Sequence, residues 1–448
     1  MTQFKSEFLR ILAERGFYNQ CTNEEGFDAY LYECEKSNRP AVGYLGSDPT
    51  ADSLHVGHLV PVMMMRWFQK LGNKPIMLVG GATARIGDPS GKDKLRPFMT
   101  PETIAHNIAG LKSSYAKFIR FDDTPSGAEI VDNYEWFKDI NYLDFLRDVG
   151  TYYSVNRMLT MESVKTRLER EQQMTFLEFN YQLLQGYDFC RLYEKFGCRA
   201  QIAGSDQWGN ITSGTELGRR KLDVELFGFT SPILTDSSGK KMGKSEGNAV
   251  WINDEKLSAY DYYQYFRNIG DAEVGKCLRI YTDLPMDEVR RLEALQDKEI
   301  NEAKKILAFE ATKLCRGETA AVAAAETARK TFEEGAAGGD LPMIDFVDNL
   351  PLTEALVRLK LTASKGEAKR LIAQNGVKIN DAVVSGENII LTTTDMKNGQ
   401  IKLSVGKKKH GLVLPVGGQR PPDGALPVRG SCPPGGDWGV PMARTPKN

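Results

Sequence analysis

The segment Pro40–His58 constrains the fold more than any other part of this chain. An apolar run ending at Leu45 leads into Gly-Ser-Asp-Pro-Thr-Ala-Asp-Ser, and an apolar helical pattern follows, its start expected near Ser53. A strand, a turn and a helix N-terminus in that order present backbone N–H groups to anions. Two of the chain's four histidines stand at this junction as His55-Val-Gly-His58. The same texture recurs up to about Leu234. Strands are expected at Ala41–Leu45, Pro75–Val79, Arg199–Ala203 and Pro232–Leu234, and helices at Leu54–Leu71 and Asp206–Gly218. Such alternation predicts an α/β domain: a parallel sheet covered on both faces, with ligands outside the carboxyl ends of the strands. Three of the expected strands run into polar, Gly-bearing turns, after Leu45, Val79 and Ala203. A substrate would sit there.

The texture changes downstream. From Lys256 to about Ala336 the pattern is helical and rich in Ala, Glu and Lys, and Gly335-Ala-Ala-Gly-Gly339 breaks it as a linker would. A compact module follows over Ile344–Val413. In it, Ser364-Lys-Gly-Glu367 reads as a capping box, Val377–Val384 and Asn388–Thr392 alternate like strands, and Lys402-Leu-Ser-Val precedes Lys407-Lys-Lys-His. Eight of the 20 prolines lie from Pro415 onward, among glycines and little apolar mass. That tail is expected to be disordered.

A chain of 448 residues is long enough for two or three domains. Its 58 Lys and Arg nearly balance 59 Asp and Glu, so any nucleic-acid binding must come from local patches. The seven cysteines include no Cys-x-x-Cys pair and read as free thiols in a reducing compartment. The N-terminus carries no apolar signal core, and no stretch is long and apolar enough to span a membrane. A cytoplasmic protein without membrane association is expected.

Taken singly, the motifs admit bland readings. His55 and His58, at i and i+3, could be metal ligands or a structural helix start, although His106 and His410 are distant and no protease-like His-Glu-x-x-His is present. Lys240, Lys241 and Lys244, in Gly239-Lys-Lys-Met-Gly-Lys-Ser245, could be a solvated turn. Tyr181, Gln185 and Asp188, at i, i+4 and i+7, share one helix face, which could be an ordinary amphipathic surface.

Read together, these segments resemble a family. Asp48-Pro-Thr-Ala-Asp-Ser-Leu-His-Val-Gly-His-Leu59 and Lys241-Met-Gly-Lys-Ser245 are similar to the two signature blocks of class I aminoacyl-tRNA synthetases, specifically the bacterial-type tyrosyl-tRNA synthetases. Gly80-Gly-Ala-Thr-Ala-Arg-Ile-Gly-Asp-Pro-Ser90, Tyr181-Gln-Leu-Leu-Gln-Gly-Tyr-Asp188 and Gln201-Ile-Ala-Gly-Ser-Asp-Gln-Trp-Gly-Asn210 match three further blocks in order. The resemblance runs from residue 1 to about 413. It implies a Rossmann-like catalytic domain over 1–235, with a connective-peptide dimerisation insertion near 130–185. It further implies a lysine loop and helical anticodon-binding domain over 236–336. A small α+β RNA-binding domain over 344–413, similar to a ribosomal small-subunit protein, and a tail over 414–448 complete the chain.

The chemistry implied is activation of L-tyrosine by ATP and transfer to the 3′ end of tRNA(Tyr), by a homodimer. Charge builds on the phosphates, so positioned donors matter more than a nucleophile. The resemblance implies that Thr50, His55, His58, Lys92, Arg96, Lys241, Lys244 and Ser245 serve catalysis, and that Gly46, Asp48, Gly57, Gly204, Asp206 and Lys244 hold ATP. It assigns Asp88, Tyr181 and Gln185 to the substrate ammonium, Gln207 to its carboxyl group, and Asp188 with Tyr44 to the phenolic hydroxyl. Magnesium would arrive with ATP; no tightly bound cofactor and no protein metal site are implied. Lys304–Arg316 resembles the anticodon-facing helices, and Lys365, Lys369, Arg370 and Lys378 could meet RNA phosphates.

The chain departs from the family at Leu45, where some relatives carry a cysteine touching the ribose, at Ala84, which replaces a glycine, and throughout the tail. Two other functions compete. A tryptophanyl-tRNA synthetase would share the loops without the Tyr44–Asp188 pair. A synthetase-derived RNA-binding or splicing protein would not need His55, His58, Lys241 and Lys244.

Overall fold

The computed structural model describes residues 4–88, 99–235, 239, 242–245, 248–332, 341–386, 388–397, 399–406 and 409–415. They form two compact units that divide between residues 340 and 341.

The first unit is organised by a six-stranded sheet of β1 (Gln20–Cys21), β2 (Val42–Ser47), β3 (Lys74–Val79), β4 (Glu129–Asp132), β5 (Ala200–Gly204) and β6 (Phe227–Ser231), in the order β1-β6-β5-β2-β3-β4. All neighbours pair in parallel except β1, which runs antiparallel to β6. The carboxyl ends of β2, β3, β5 and β6 therefore open on one edge, as the alternation predicts. One expected strand is corrected. Pro232–Leu234 does not pair; the strand is the fully buried run Phe227–Ser231 just before it. Pro232 has no N–H to give a neighbour, so the ladder stops there. Strand β4 escapes the sequence pattern because it has only four residues, mostly half-buried, at the sheet edge.

Helices α1 (Glu7–Glu14) and α2 (Glu24–Lys36) precede β2, α3 (Leu59–Lys70) follows it, and α4 (Pro101–Ala116) lies between β3 and β4. Helix α3 starts at Leu59 rather than near Ser53. The backbone at Leu54–Val56 is committed to bonds with Val250 and Ile252, and only a single 3-10 turn, Val56–His58, fits before the helix. Nine of the twelve α3 residues are buried, so it is a central helix with no solvent stripe.

The insertion after β4 holds four short helices, α5 (Tyr134–Phe137), α6 (Tyr142–Asp148), α7 (Val155–Leu159) and α8 (Glu162–Glu169), and then the long α9 (Phe176–Phe196). Helix α9 starts at a reciprocal capping box: Thr175 Oγ1 accepts from the Glu178 N–H at 3.2 Å, and Glu178 Oε2 accepts from the Thr175 N–H at 3.0 Å. Arg167 donates to the same carboxylate at 2.7 Å, both side chains being buried. The helix ends on Gly197, at φ 66°. Helix α10 (Trp208–Leu222) follows β5 after a 3-10 turn, Ser205–Gln207, and starts two residues later than expected. Tyr44, Ile76, Leu78, Trp136, Phe189 and Leu192 belong to one buried core cluster, built from β2, β3, α5 and α9.

The stretch beyond the sheet forms a short hairpin, β7 (Lys244–Ser245) with β8 (Asn248–Ala249), and then five helices. These are α11 (Ala259–Arg267), α12 (Val274–Tyr281), α13 (Met286–Glu293), α14 (Ile300–Arg316) and α15 (Glu318–Phe332). They belong to the same compact unit as the sheet. Arg66 of α3 forks onto Asp283 after α12, with Nε to Oδ1 at 3.1 Å and Nη2 to Oδ2 at 2.6 Å.

The second unit contains β9 (Met343–Asp345), β10 (Leu350–Pro351), α16 (Leu352–Arg358), α17 (Lys365–Ala373), β11 (Val377–Ile379), β12 (Ala382–Val383), β13 (Ile390–Leu391), β14 (Ile401–Val405) and β15 (Lys409–Leu414). Its main sheet runs β12-β11-β14-β15-β9. Leu352, Leu356, Ile372, Val377, Leu403 and Val413 belong to its core. Ser364 caps α17 as expected, accepting from the Glu367 N–H at 3.2 Å, although Glu367 reaches back to the Ala363 N–H, at 2.7 Å. The linker Gly335–Gly339 and the tail from residue 416 lie outside the described residues. Among the described residues no helix is long and apolar enough to cross a membrane, and the six described cysteines are free.

Candidate functional site

Three chain segments meet at the carboxyl edge of the sheet. The Gly80 N–H donates to the Ser47 carbonyl at 3.0 Å, which joins the turns after β2 and β3. Asp48 sits between them: Thr83 Oγ1 donates to its Oδ1 at 2.7 Å, and the Tyr181 hydroxyl of α9 donates to its Oδ2 at 3.0 Å. The next residues are held from below, because Asn107 Nδ2 of α4 donates to the Pro49 carbonyl at 2.8 Å. Gly46 and Thr50 are exposed on this turn. Across the cleft, Gln207 Nε2 donates to Asp88 Oδ2 at 2.8 Å, and Asn210 Nδ2 supports Gln207 Oε1 at 3.2 Å. Gly204 ends β5, with Asp206 exposed in the turn behind it. Gln185 is half-buried one turn beyond Tyr181. Burial, then Asp48, Asp88 and Asp188, push the Tyr181 hydroxyl well above the usual phenol range. Carboxylates converging on one hydroxyl make a pocket that suits an ammonium group.

At the sheet-facing end of this pocket Asp188 is 2% exposed. Its Oδ1 accepts from Trp136 Nε1 at 2.9 Å and its Oδ2 from Asn133 Nδ2 at 3.1 Å. Asn133 is itself fixed, its Oδ1 accepting from the Ala82 N–H at 2.8 Å. Burial pushes the Asp188 carboxyl up to about 8, against the opposing pull of the two donors. Tyr44 is 1% exposed, its ring set edge-on to Phe189 at 5.1 Å. Its hydroxyl has no hydrogen-bond partner among the described residues. A buried hydroxyl without a partner is costly, and the cost is removed when a ligand supplies one. Asn133 and Trp136 are not recognisable as site residues in the sequence. They lie in the insertion, outside every recognised block, and the only local signal was a polar Asn and a Trp one helical turn apart after β4.

The histidines flank the 3-10 turn that leads into α3. The rings of His55 and His58 stack at 3.7 Å with 21° between planes. The Gly57 N–H donates to His55 Nδ1 at 3.1 Å and the His55 N–H to His58 Nδ1 at 3.5 Å. Both Nδ1 atoms accept, so each neutral ring carries its proton on Nε2. The segment leaving the lysine loop is bonded directly to this motif. The Val56 N–H donates to the Val250 carbonyl and the Ile252 N–H to the Leu54 carbonyl, each at 2.9 Å, and His55 bridges Trp251. Gly243 approaches from the loop at φ +83°. Lys244 and Ser245 are described in backbone only, while Lys92, Arg96 and Lys241 lie outside the described residues. Leu45 and Ala84 are buried, so neither substitution alters an exposed surface. Among the described residues no three His, Cys, Asp or Glu side chains gather as a metal site.

Comparison with known proteins identifies the family. The family described as tRNA synthetases class I (W and Y) matches residues 36–333, and the tyrosine–tRNA ligase SYY-like C-terminal domain matches residues 331–413. The chain is 50% identical over 423 residues to the tyrosine–tRNA ligase of Rhodospirillum rubrum, covering 93% of this chain and 100% of that one. It is 51% identical over 422 residues to that of Rhizobium meliloti, with the same coverage. Among solved structures, the C-terminally truncated mitochondrial tyrosyl-tRNA synthetase of Aspergillus nidulans superposes with a TM-score of 0.65 at 31% identity, over 73% of this chain and 94% of that one. The chain belongs to the tyrosine–tRNA ligase family of class I aminoacyl-tRNA synthetases.

Proposed function

We propose that this chain activates L-tyrosine with ATP and transfers it to tRNA(Tyr). One observation carries the choice of amino acid. Asp188 and Tyr44 lie buried at one end of the pocket, Asp188 locked by Asn133 and Trp136 and Tyr44 with its hydroxyl unpaired. A phenol would pair with both, whereas phenylalanine would leave the Tyr44 hydroxyl buried and unsatisfied. Rejection of phenylalanine by a tyrosyl-tRNA synthetase is a known case of hydrogen-bond specificity. Asp88, Tyr181 and Gln185 receive the ammonium group, and Gln207 stands beside the carboxylate.

A carboxylate oxygen of tyrosine attacks the α-phosphorus of ATP in line. The bond from that phosphorus to the bridging oxygen breaks, and pyrophosphate leaves with the electron pair. His55 and His58 donate from Nε2 to the phosphates with Thr50, while Lys92, Arg96, Lys241, Lys244 and Ser245 neutralise the departing charge. Gly46, Asp48 and Gly57 border the nucleotide, and Gly204 and Asp206 meet its ribose. Magnesium would arrive with ATP, chelated by the triphosphate. In the second step a hydroxyl of the terminal tRNA ribose attacks the tyrosyl carbonyl, and AMP leaves.

For tRNA, the groove of about 530 Å³ between α11, α14 and α15, lined by Arg267, Lys305 and Arg329 together with Glu310 and Glu326, lies on the helices assigned the anticodon-facing role. Lys365, Lys369 and Arg370 are exposed on α17, with Lys378 half-buried on β11, and they serve as phosphate contacts. The insertion exposes the large apolar side chains of Tyr142, Leu143, Val155, Leu168 and Phe176, which a second copy would cover in a homodimer. The protein acts in the cytoplasm. An amino-acid panel in ATP–pyrophosphate exchange tests the reading: tyrosine-only exchange supports it, tryptophan-dependent exchange supports a tryptophanyl enzyme, and no exchange supports a non-catalytic RNA-binding protein. Sedimentation of Leu143→Asp and Phe176→Asp variants tests the dimer, and an unaltered oligomeric state would refute that interface.

A further inference from the structure

Arg316, the last residue of α14, is distant in sequence from every motif, yet its side chain is 1% exposed and turned onto the segment that leaves the lysine loop. Its Nη2 donates to the Trp251 carbonyl at 3.3 Å and to the Leu257 carbonyl at 3.0 Å. Its Nη1 donates to the Ile252 carbonyl and to Asp254 Oδ1. The neighbouring Cys315 Sγ adds a weak contact to the Ile252 carbonyl at 3.7 Å. One guanidinium thus gathers four acceptors from seven consecutive residues.

The opposite side of that segment is fastened to the histidine motif. Besides the bonds of Val250, Trp251 and Ile252, the Asn253 N–H donates to Ser53 Oγ at 3.1 Å, and Asn253 Nδ2 to the Asp52 carbonyl at 3.0 Å. The stretch is held between Arg316 and His55 like a plate between two clamps. A buried guanidinium is a costly way to fill space, because its desolvation offsets much of the attraction it gains. It provides what an apolar side chain cannot, a rigid fork of donors that fixes carbonyl positions.

We infer that Arg316 is a positioning residue for tyrosine activation. It holds Trp251–Leu257 so that the strand pair β7–β8 keeps Gly243 against Gly57, and it ties α14 of the helical segment to the histidine motif. The inference rests on the activation reading proposed above. It does not concern tyrosine recognition, since Asp188, Tyr44 and Tyr181 are on elements that Arg316 does not touch.

The test compares wild type with Arg316→Met and Arg316→Lys in ATP–pyrophosphate exchange, in equilibrium tyrosine binding and in tryptic cleavage within residues 240–244. In Arg316→Met, kcat for exchange should fall at least tenfold while the tyrosine Kd stays within twofold, and cleavage should quicken several-fold. Arg316→Lys, with the charge but without the fork, should fall between the two. If Arg316→Met does not fold, Arg316→Lys carries the same comparison. Unchanged kcat and cleavage in a folded variant would overturn the inference, as would a tyrosine Kd that worsens in step with kcat. A wild-type chain without tyrosine-dependent exchange would instead refute the activation reading, while the cleavage comparison would still decide whether Arg316 holds the loop.

Discussion

A Cβ added to Gly243 would lie 2.5 Å from the backbone nitrogen of Gly57, and one added to Gly57 would lie 2.9 Å from the Met242 carbonyl oxygen. The two signature blocks, far apart in sequence, touch backbone to backbone at their glycines. Gly243 also sits at φ +83°, where an L side chain is strained. The middle residue of Lys-Met-Gly-Lys-Ser is therefore a condition for this loop position. Gly243→Ala should lower kcat for pyrophosphate exchange at least tenfold, which corresponds to ~1.4 kcal/mol, and leave the tyrosine KM nearly unchanged. An exchange rate equal to wild type would show that the contact does not matter to the reaction.

Asp188→Ala should abolish tyrosine activation and destabilise the fold. It leaves Trp136 Nε1 buried without its acceptor, at about 1–3 kcal/mol, while Asn133 Nδ2 keeps Thr83 Oγ1 at 3.1 Å. Undiminished tyrosine-dependent exchange in this variant would sink the assignment of Asp188 to the phenol.

Asp188 should also leave a signature in stability against pH. Its carboxyl is raised from 3.8 to about 8, with burial as the leading cause. Between those values the folded state keeps a proton that the unfolded chain has released, so its contribution is full below about pH 4 and is lost as pH rises through about 8. The stability of wild type relative to Asp188→Asn should therefore decline from pH 5 to pH 9 in urea titrations. A constant difference would mean that the two donors already keep a carboxylate there at pH 5.

Tyr44→Phe should separate stability from recognition. Removing a buried, unpaired hydroxyl should leave the melting temperature of the empty protein unchanged or raised, because its desolvation, about 1–3 kcal/mol, is no longer incurred. The preference for tyrosine over phenylalanine, read as the ratio of kcat/KM values, should fall several-fold. A large loss of stability would mean that the hydroxyl has a partner in solution.

The Arg167–Glu178 pair supports the start of α9, which carries Tyr181 and Asp188. Arg167→Met should cost about 3–5 kcal/mol in urea unfolding, since Glu178 would remain buried without its cation. The double variant Arg167→Met/Glu178→Gln should recover much of that loss. No recovery would show that Glu178 matters chiefly as the cap of Thr175.

The parallel sheet was legible because β2, β3 and β5 are apolar runs that end in Gly-bearing turns, and burial of both faces enforces that pattern. Strand β4 and the true extent of β6 were not, because a short edge strand and the stop at Pro232 depend on what lies alongside. Tyr181, Gln185 and Asp188 were legible as one face because helix geometry alone puts them there. Their partners were not. Asn133, Trp136 and Asp48 reach α9 only through tertiary contacts, and hydrogen bonds across 52, 55 and 133 residues leave no periodic trace in a chain.

The family, strands β2, β3 and β5 with the turns that follow them, and the residue types available for an anionic substrate are legible in the sequence alone. These follow from local periodicity and short motifs, whose physics acts within a few residues. Tertiary packing sets the rest: Gly243 meets Gly57, Asp188 is locked by Trp136 and Asn133, and Arg316 grips the segment beyond the lysine loop. Those are contacts between distant segments, set by packing and by the need of each buried polar group for a partner.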